Sequence, residues 1–127
     1  MLNETWTWAG KYREYQTNIG CLFFQIPSQL QTLCDDVRFW LDHHTFTEKE
    51  IAVRFHHRLV YIHPFPNGNG RHGRLATDAL LVSLKKERFT WGRISLIEPS
   101  QTRGRYIQAL RDADQGYFEN LLSFVES

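Results

Sequence analysis

The 127-residue sequence is short of several things, and each shortage removes a class of protein. It has two cysteines, Cys21 and Cys34, too few for the disulfide framework that staples small secreted folds. A reduced, cytoplasmic setting is therefore expected. Charge of one sign is also lacking. The 15 Lys and Arg nearly balance 14 Asp and Glu, leaving a formal +1. That excludes the strongly basic footprint of a nucleic-acid or anionic-membrane binder. No apolar run approaches the ~20 residues of a membrane span, and Met1-Leu2-Asn3-Glu4-Thr5 has neither region of a signal peptide. Repeats, low-complexity tracts and linkers are absent. Neither a nucleic-acid nor a membrane partner is expected.

What the chain does have is bulky core material: 4 Trp, 5 Tyr and 9 Phe within a 42% hydrophobic composition. That suits one domain over residues 1–127 with a single core. Apolar residues recur at helical intervals in several places. Leu30, Leu33, Val37, Trp40 and Leu41 form one stripe, with Ser28 as its expected cap. Thr47-Glu48-Lys49-Glu50 fits a capping box ahead of Ile51, Phe55, Leu59 and Ile62. Pro64 disfavours helical geometry at His63, so that helix should end there. After a loop, Leu75, Ala76, Ala79, Leu80 and Leu84 resume the period. Tyr106, Ile107 and Leu110 suggest a further helix, and Asp114 is the expected cap of a last one carrying Phe118, Leu121, Leu122 and Val125. Two stretches read as extended: Arg88 to Trp91, and Ile19 to Ile26, where β-formers flanked by Gly20 and Pro27 suggest a small hairpin. The class is all-α with that one hairpin.

The informative segment is His63-Pro64-Phe65-Pro66-Asn67-Gly68-Asn69-Gly70-Arg71-His72-Gly73-Arg74. Gly68 and Gly70 let the backbone turn sharply and let a ligand approach its amides. The helix beginning after them presents free N–H groups and a partial positive charge, which together suit an anion such as phosphate. Arg71 and Arg74 are three apart at that same positive end, where two cations are unfavourable unless an anion joins them. Guanidinium forks match phosphate oxygens. His63 stands at the other lip, and a free histidine, with a pKa of ~6.5, suits proton abstraction near neutral pH. Phe65, between two prolines, reads as an anchor for the loop. A plain helix-to-helix turn would explain the glycines but not the histidine before them or the arginine pair after them.

This segment resembles the signature of the Fic family, also called Fic/Doc: His-x-Phe-x-acid-Gly-Asn-Gly-Arg-x-x-Arg. Seven fixed identities agree, at His63, Phe65, Gly68, Asn69, Gly70, Arg71 and Arg74. Chance agreement is on the order of 10⁻⁹ per starting position. Trp8-Ala9-Gly10-Lys11-Tyr12-Arg13 resembles the family's early Trp-Ala-Gly-x-x-Arg element. Glu50 to Leu75, with Trp91-Gly92 and the Tyr106 to Ala113 helix, looks most like the Fic proteins called mobile mystery protein B. The resemblance implies a compact Fic-type helical bundle with a β-hairpin flap at Ile19 to Ile26, which aligns a target protein by strand addition. It implies a protein adenylyltransferase, an AMP transferase using Mg²⁺ with ATP or another nucleoside triphosphate. His63 would take the proton of a Ser, Thr or Tyr hydroxyl on the target. Gly68, Asn69 and Gly70 would form the anion hole. Arg71 would bind the distal phosphates, and Arg74 the γ-phosphate or, in inhibited relatives, a regulatory glutamate. Residues near Tyr106 would line the base pocket.

Three departures bear on these expectations. Asn67 stands where active relatives carry an Asp or Glu for Mg²⁺, and an amide oxygen is a poorer ligand for that ion. No match to the inhibitory pattern Ser/Thr-x-x-x-Glu-Gly/Asn occurs in either terminal region, which leaves a separate inhibitor protein, different regulation, or a relevant segment missing from the sequence as given. Relatives carry another helix before the Trp-Ala-Gly element, and Met1 falls where it would be under way, so the core as given would lack that helix. Two alternatives to AMP transfer stay open. One is a nucleotide- or phosphate-binding regulatory module with little catalysis, which Asn67 favours. The other is a Doc-like phosphotransferase, which Gly70 disfavours because Doc proteins carry Lys there. The pairs His43-His44 and His56-His57 point apart on a helix and complete no zinc spacing, so they read as surface or hydrogen-bonded side chains.

Overall fold

The structure is a computed structural model that describes residues 11–17, 19–94 and 97–127. Trp8-Ala9-Gly10 and the start at Met1 lie outside the described residues. Among the described residues five α-helices follow one another: α1 (Ile26–His43), α2 (Glu48–Ile62), α3 (Asn69–Ser83), α4 (Pro99–Asp114) and α5 (Glu119–Val125). No described residue is in a strand, and no helix among them is long and apolar enough to cross a membrane.

The local chemistry explains where each helix begins and ends. Pro27 occupies the first turn of α1, where its missing N–H costs nothing. Thr47 caps α2, its hydroxyl accepting from the Glu50 amide at 3.2 Å. The α2 helix then stops at His63, whose left-handed backbone (φ 53°, ψ 59°) turns the chain away. Gly68, at φ 73°, reverses it again into α3.

Helix α2 packs against α1, α3 and α5, while α4 pairs with α5. It divides two apolar cores. Ile51, Leu59 and Ile62 face one of them, with Cys21, Ile26, Leu33 and Val37. Ala52 and Val53 face the other, with Leu81, Trp91, Tyr106, Leu121 and Phe124. The close approach of α3 depends on Gly73, where a Cβ would stand 2.9 Å from Val60 Cγ2.

Several expectations are corrected. The hairpin expected over Ile19 to Ile26 does not form. Gly20 takes φ 97°, Phe23–Gln25 wind into a 3-10 turn, and Ile26 already begins α1. Pro27 removes an amide that a ladder would need, and the Cys21 carbonyl accepts from Arg13 instead. Ser28 lies inside α1 and donates back to the Gln25 carbonyl at 3.0 Å, so it is not the cap. Arg88 to Trp91 pairs with no strand; the Thr90 and Trp91 amides both bond to the Val125 carbonyl at the end of α5. Leu75 is 73% exposed, because α3 turns Asn69, Gly73, Thr77 and Leu81 inward instead. Asp114 ends α4 rather than capping α5, which begins after Phe118.

Candidate functional site

The site forms where α2 ends and α3 begins, and two side chains hold that junction together. Arg13, 2% exposed, threads beneath the end of α2. Its Nε donates to the His63 carbonyl at 2.6 Å, and its terminal nitrogens reach the carbonyls of Tyr15, Cys21 and Ile62. The Arg13 amide bonds to the Pro64 carbonyl at 2.9 Å. One guanidinium thus satisfies carbonyls that a helix end leaves without partners and ties the Gly20 turn beside His63. Asn69 is the second clasp. Its Oδ1 accepts from the Phe65 amide at 2.9 Å, and its Nδ2 donates to the Phe65 carbonyl at 2.8 Å. The Phe65 ring lies between Tyr12 and His72, 5.9 Å and 4.7 Å away between centroids.

On this scaffold His63 is half-buried, and its pKa is lowered first by burial and then by the nearby charge of Arg13. It is held as a neutral imidazole, the form that accepts a proton. At the other end of the loop, α3 starts with amides that have no acceptor within the helix; the first intrahelical bond runs from His72 to the Gly68 carbonyl. Gly70 has ordinary helical geometry, and a Cβ there would meet nothing within 4 Å. Neither packing nor the backbone requires glycine at that position, so the bareness leaves approach room above the amides. The Asn69 side chain is engaged with Phe65 through both its amide atoms.

The two arginines have different surroundings. Arg71 is exposed and makes no side-chain hydrogen bond or ion pair among the described residues. Arg74 lies partly buried with its guanidinium carbon 4.7 Å from the Tyr106 ring centroid and 5.6 Å from that of Trp91. Asn67 is exposed at the loop tip. Among the described residues, no group of three or more His, Cys, Asp or Glu could hold a metal. Mg²⁺ usually takes one or two carboxylates besides phosphate oxygens, and the loop supplies an amide alone. This donor set does not make a resident magnesium site.

An open cleft of about 510 Å³ borders the junction, lined by Gly20, Val60, Tyr61, Ile107, Leu110 and Asp114, among others. A wider depression of about 910 Å³ lies elsewhere, around Phe46, Lys49, Phe89 and Glu126, and no loop residue lines it. No residue of 63–74 lines the smaller cleft either, but Gly20 does, and a Cβ there would be 2.7 Å from His63 Cβ.

Sequence reasoning missed the interior behind Arg74. His56 is fully buried, with Nε2 2.7 Å from the Tyr106 hydroxyl and Nδ1 3.2 Å from Thr77 Oγ1. Its pKa falls to about 4, chiefly through burial. The available signal was a histidine within an otherwise apolar helix face, which needs polar partners when buried. His57 instead pairs with Asp114 at 2.7 Å, and His43 bonds the Phe39 carbonyl.

Comparison with known proteins agrees with this geometry. The model of the Fic/DOC family matches residues 1–81. The chain is 31% identical over 120 residues to a Drosophila melanogaster protein named protein adenylyltransferase Fic, covering 92% of this chain and 23% of the relative. A protein of the same name from Nematostella vectensis is 32% identical over 120 residues, with 92% of this chain and 26% of the relative covered. The chain therefore spans about a quarter of the length of these relatives. Fic-1 from C. elegans superposes with a TM-score of 0.68 at 26% identity, over 94% of this chain and 34% of that one.

Proposed function

The chain belongs to the Fic/DOC family, and from that premise we propose that it transfers AMP from ATP to a Ser, Thr or Tyr hydroxyl of a target protein. One observation carries the reading. A histidine whose pKa is lowered by burial stands at one end of the loop and a helix N-terminus left open by Gly70 at the other, with Arg13 bonding the His63 carbonyl and Asn69 clasping Phe65 to the start of α3. His63 takes the hydroxyl proton as the oxygen attacks the α-phosphorus. The bond to the bridging oxygen breaks, and pyrophosphate leaves with the electron pair. The free amides at the start of α3 offset charge on the phosphate oxygens, where preorganised donors act most strongly. Arg71 and Arg74 take the distal phosphates, with Mg²⁺ entering on the triphosphate as part of the substrate.

The cleft beside Gly20 is the proposed seat of the base, its apolar walls supplied by Ile107, the residue after Tyr106, and by Leu110, one turn on. The target protein is proposed to lie along 19–24, where Ile19, Leu22 and Phe24 expose apolar surface; contact would be through side chains rather than strand addition. A separate inhibitor protein would direct a carboxylate at Arg74. The proposed setting is cytoplasmic, in keeping with Cys21 and Cys34 being free thiols.

The binding-module reading keeps one specific support, the amide at Asn67 where a carboxylate would favour the ion. Incubation of target lysate with α-labelled and γ-labelled ATP separates the readings. Label from α alone is expected, and His63→Ala should reduce it about 10²–10⁴-fold while the fold persists. Label from γ alone would mean phosphotransfer, and label from neither would leave a binding module. Undiminished transfer by folded His63→Ala would refute the mechanism.

A further inference from the structure

An aromatic face attracts a cation but leaves it free to slide and rotate in the ring plane. The rings of Tyr106 and Trp91 therefore account for where Arg74 rests but not for its direction. The chain of hydrogen bonds beneath it has a definite polarity. The Thr77 hydroxyl donates its single proton to the Gly73 carbonyl at 2.7 Å, so toward His56 it can only accept. His56 Nδ1, 3.2 Å away, must then carry the proton. A neutral imidazole has one such proton, which leaves Nε2 as an acceptor. The Tyr106 hydroxyl, 2.7 Å from Nε2, consequently donates inward and presents only lone pairs on its other side. A guanidinium has five N–H donors and no acceptor, so that side suits Arg74. Burial raises the Tyr106 hydroxyl's pKa, while the charge of Arg74 and a hydrogen bond with it oppose the rise. Trp91, also against His56 with centroids 4.6 Å apart, is pinned by its Nε1–H to the Asp78 carboxylate at 3.1 Å.

We propose that Tyr106 and His56 are positioning residues for Arg74: the buried imidazole's tautomer makes the Tyr106 hydroxyl an acceptor that aims the guanidinium at the distal phosphates. The inference rests on the reading that Arg74 binds those phosphates. It makes a tyrosine 32 positions along the chain, and a histidine 18 positions before the arginine, part of nucleotide discrimination without either touching the nucleotide.

Calorimetry with ATP and with AMP tests it. Tyr106→Phe keeps the ring and removes the acceptor. It should weaken ATP binding about three- to tenfold, the range of one ordinary hydrogen bond, while changing AMP binding less than about twofold. In an Arg74→Ala background the same substitution should add nothing, since the two act through one contact. His56→Gln, whose carbonyl can accept near the place of Nε2, should keep the preference for ATP; His56→Leu should lose it. Equal losses for both nucleotides, or additive effects with Arg74→Ala, would overturn the proposal. Should Tyr106→Phe fail to fold, ¹⁵N shifts of the wild-type imidazole decide instead. An Nδ1–H tautomer at neutral pH is expected, and Nε2–H or a charged ring overturns it. A preference that Arg74→Ala leaves intact would remove both this inference and the phosphate role of Arg74. A preference sensitive to Arg74→Ala but not to Tyr106→Phe would remove the positioning role alone.

Discussion

His63 sits half-buried above the Arg13 guanidinium, and burial and that charge both hold its pKa below the ordinary value. A base works only in its deprotonated form, so a lowered pKa keeps it active at more acidic pH. The acidic limb of kcat/KM for AMP transfer should therefore fall below the ~6.5 of free histidine. A pH profile with α-labelled ATP measures it, and a limb at or above that value would mean that His63 is not the base. Asn67 makes the other prediction at this scale. Asn67→Asp adds the charge an amide lacks, so it should lower the Mg²⁺ concentration needed for half-maximal transfer. A Mg²⁺ titration of the two proteins side by side checks it. Weaker nucleotide binding with no metal gain would count against a conventional metal arrangement and move weight to the binding-module reading.

At the scale of the helix, two glycines of α3 should respond in opposite ways. A Cβ on Gly73 would meet Val60 Cγ2 at 2.9 Å and His56 Cε1 at 3.2 Å. Gly73→Ala should therefore destabilise by about 1–3 kcal/mol through overpacking, against a gain of up to about 1 kcal/mol from helix propensity. Gly70→Ala meets nothing within 4 Å among the described residues, so its stability should hold or rise slightly. Its nucleotide affinity should fall, because the new methyl occupies the approach to the amides. Urea midpoints and calorimetry on both variants give the comparison. Loss of stability at Gly70, or none at Gly73, would contradict the packing described. Thr47→Ala removes the α2 cap and should cost about 1 kcal/mol, read from the same urea curves.

Stability of the whole molecule should depend on pH through His56. Its folded pKa is about 4, against ~6.5 unfolded. Between those values the unfolded chain binds a proton that the folded one excludes. Stability is therefore complete above the unfolded pKa and is lost as pH falls toward the folded one. His63 and His72 are shifted in the same direction. Urea unfolding should show a loss of about 2 kcal/mol between pH 7.5 and 5 from His56 alone. A flat profile over that range would mean that His56 is not buried neutral. The position of His56 between the two helices that carry the loop makes this a property of the assembled core.

Features that depend on neighbours along the chain were legible before folding was considered. The Thr47 cap, the halt at His63 before Pro64, the turn at Gly68 and the start of α3 follow from hydroxyl, ring and missing Cβ acting within a few residues. The same short range made the phosphate-binding loop and its candidate base legible. It also misled: β-formers at 19–26 suggested a hairpin, because nothing local showed that Arg13 would take the Cys21 carbonyl or that α1 would begin at Ile26. Leu75 looked like core because periodicity gives spacing but not the rotation of the face, which was set where Gly73 let α3 approach Val60. The partners of Arg13 and His56 were settled by the packing of distant segments. Arg13 reaches the His63 carbonyl, and His56 the Tyr106 hydroxyl, each across 50 positions of chain. Hydrogen bonds act over about 3 Å, and no pattern in a linear sequence states which distant groups folding will bring within that distance.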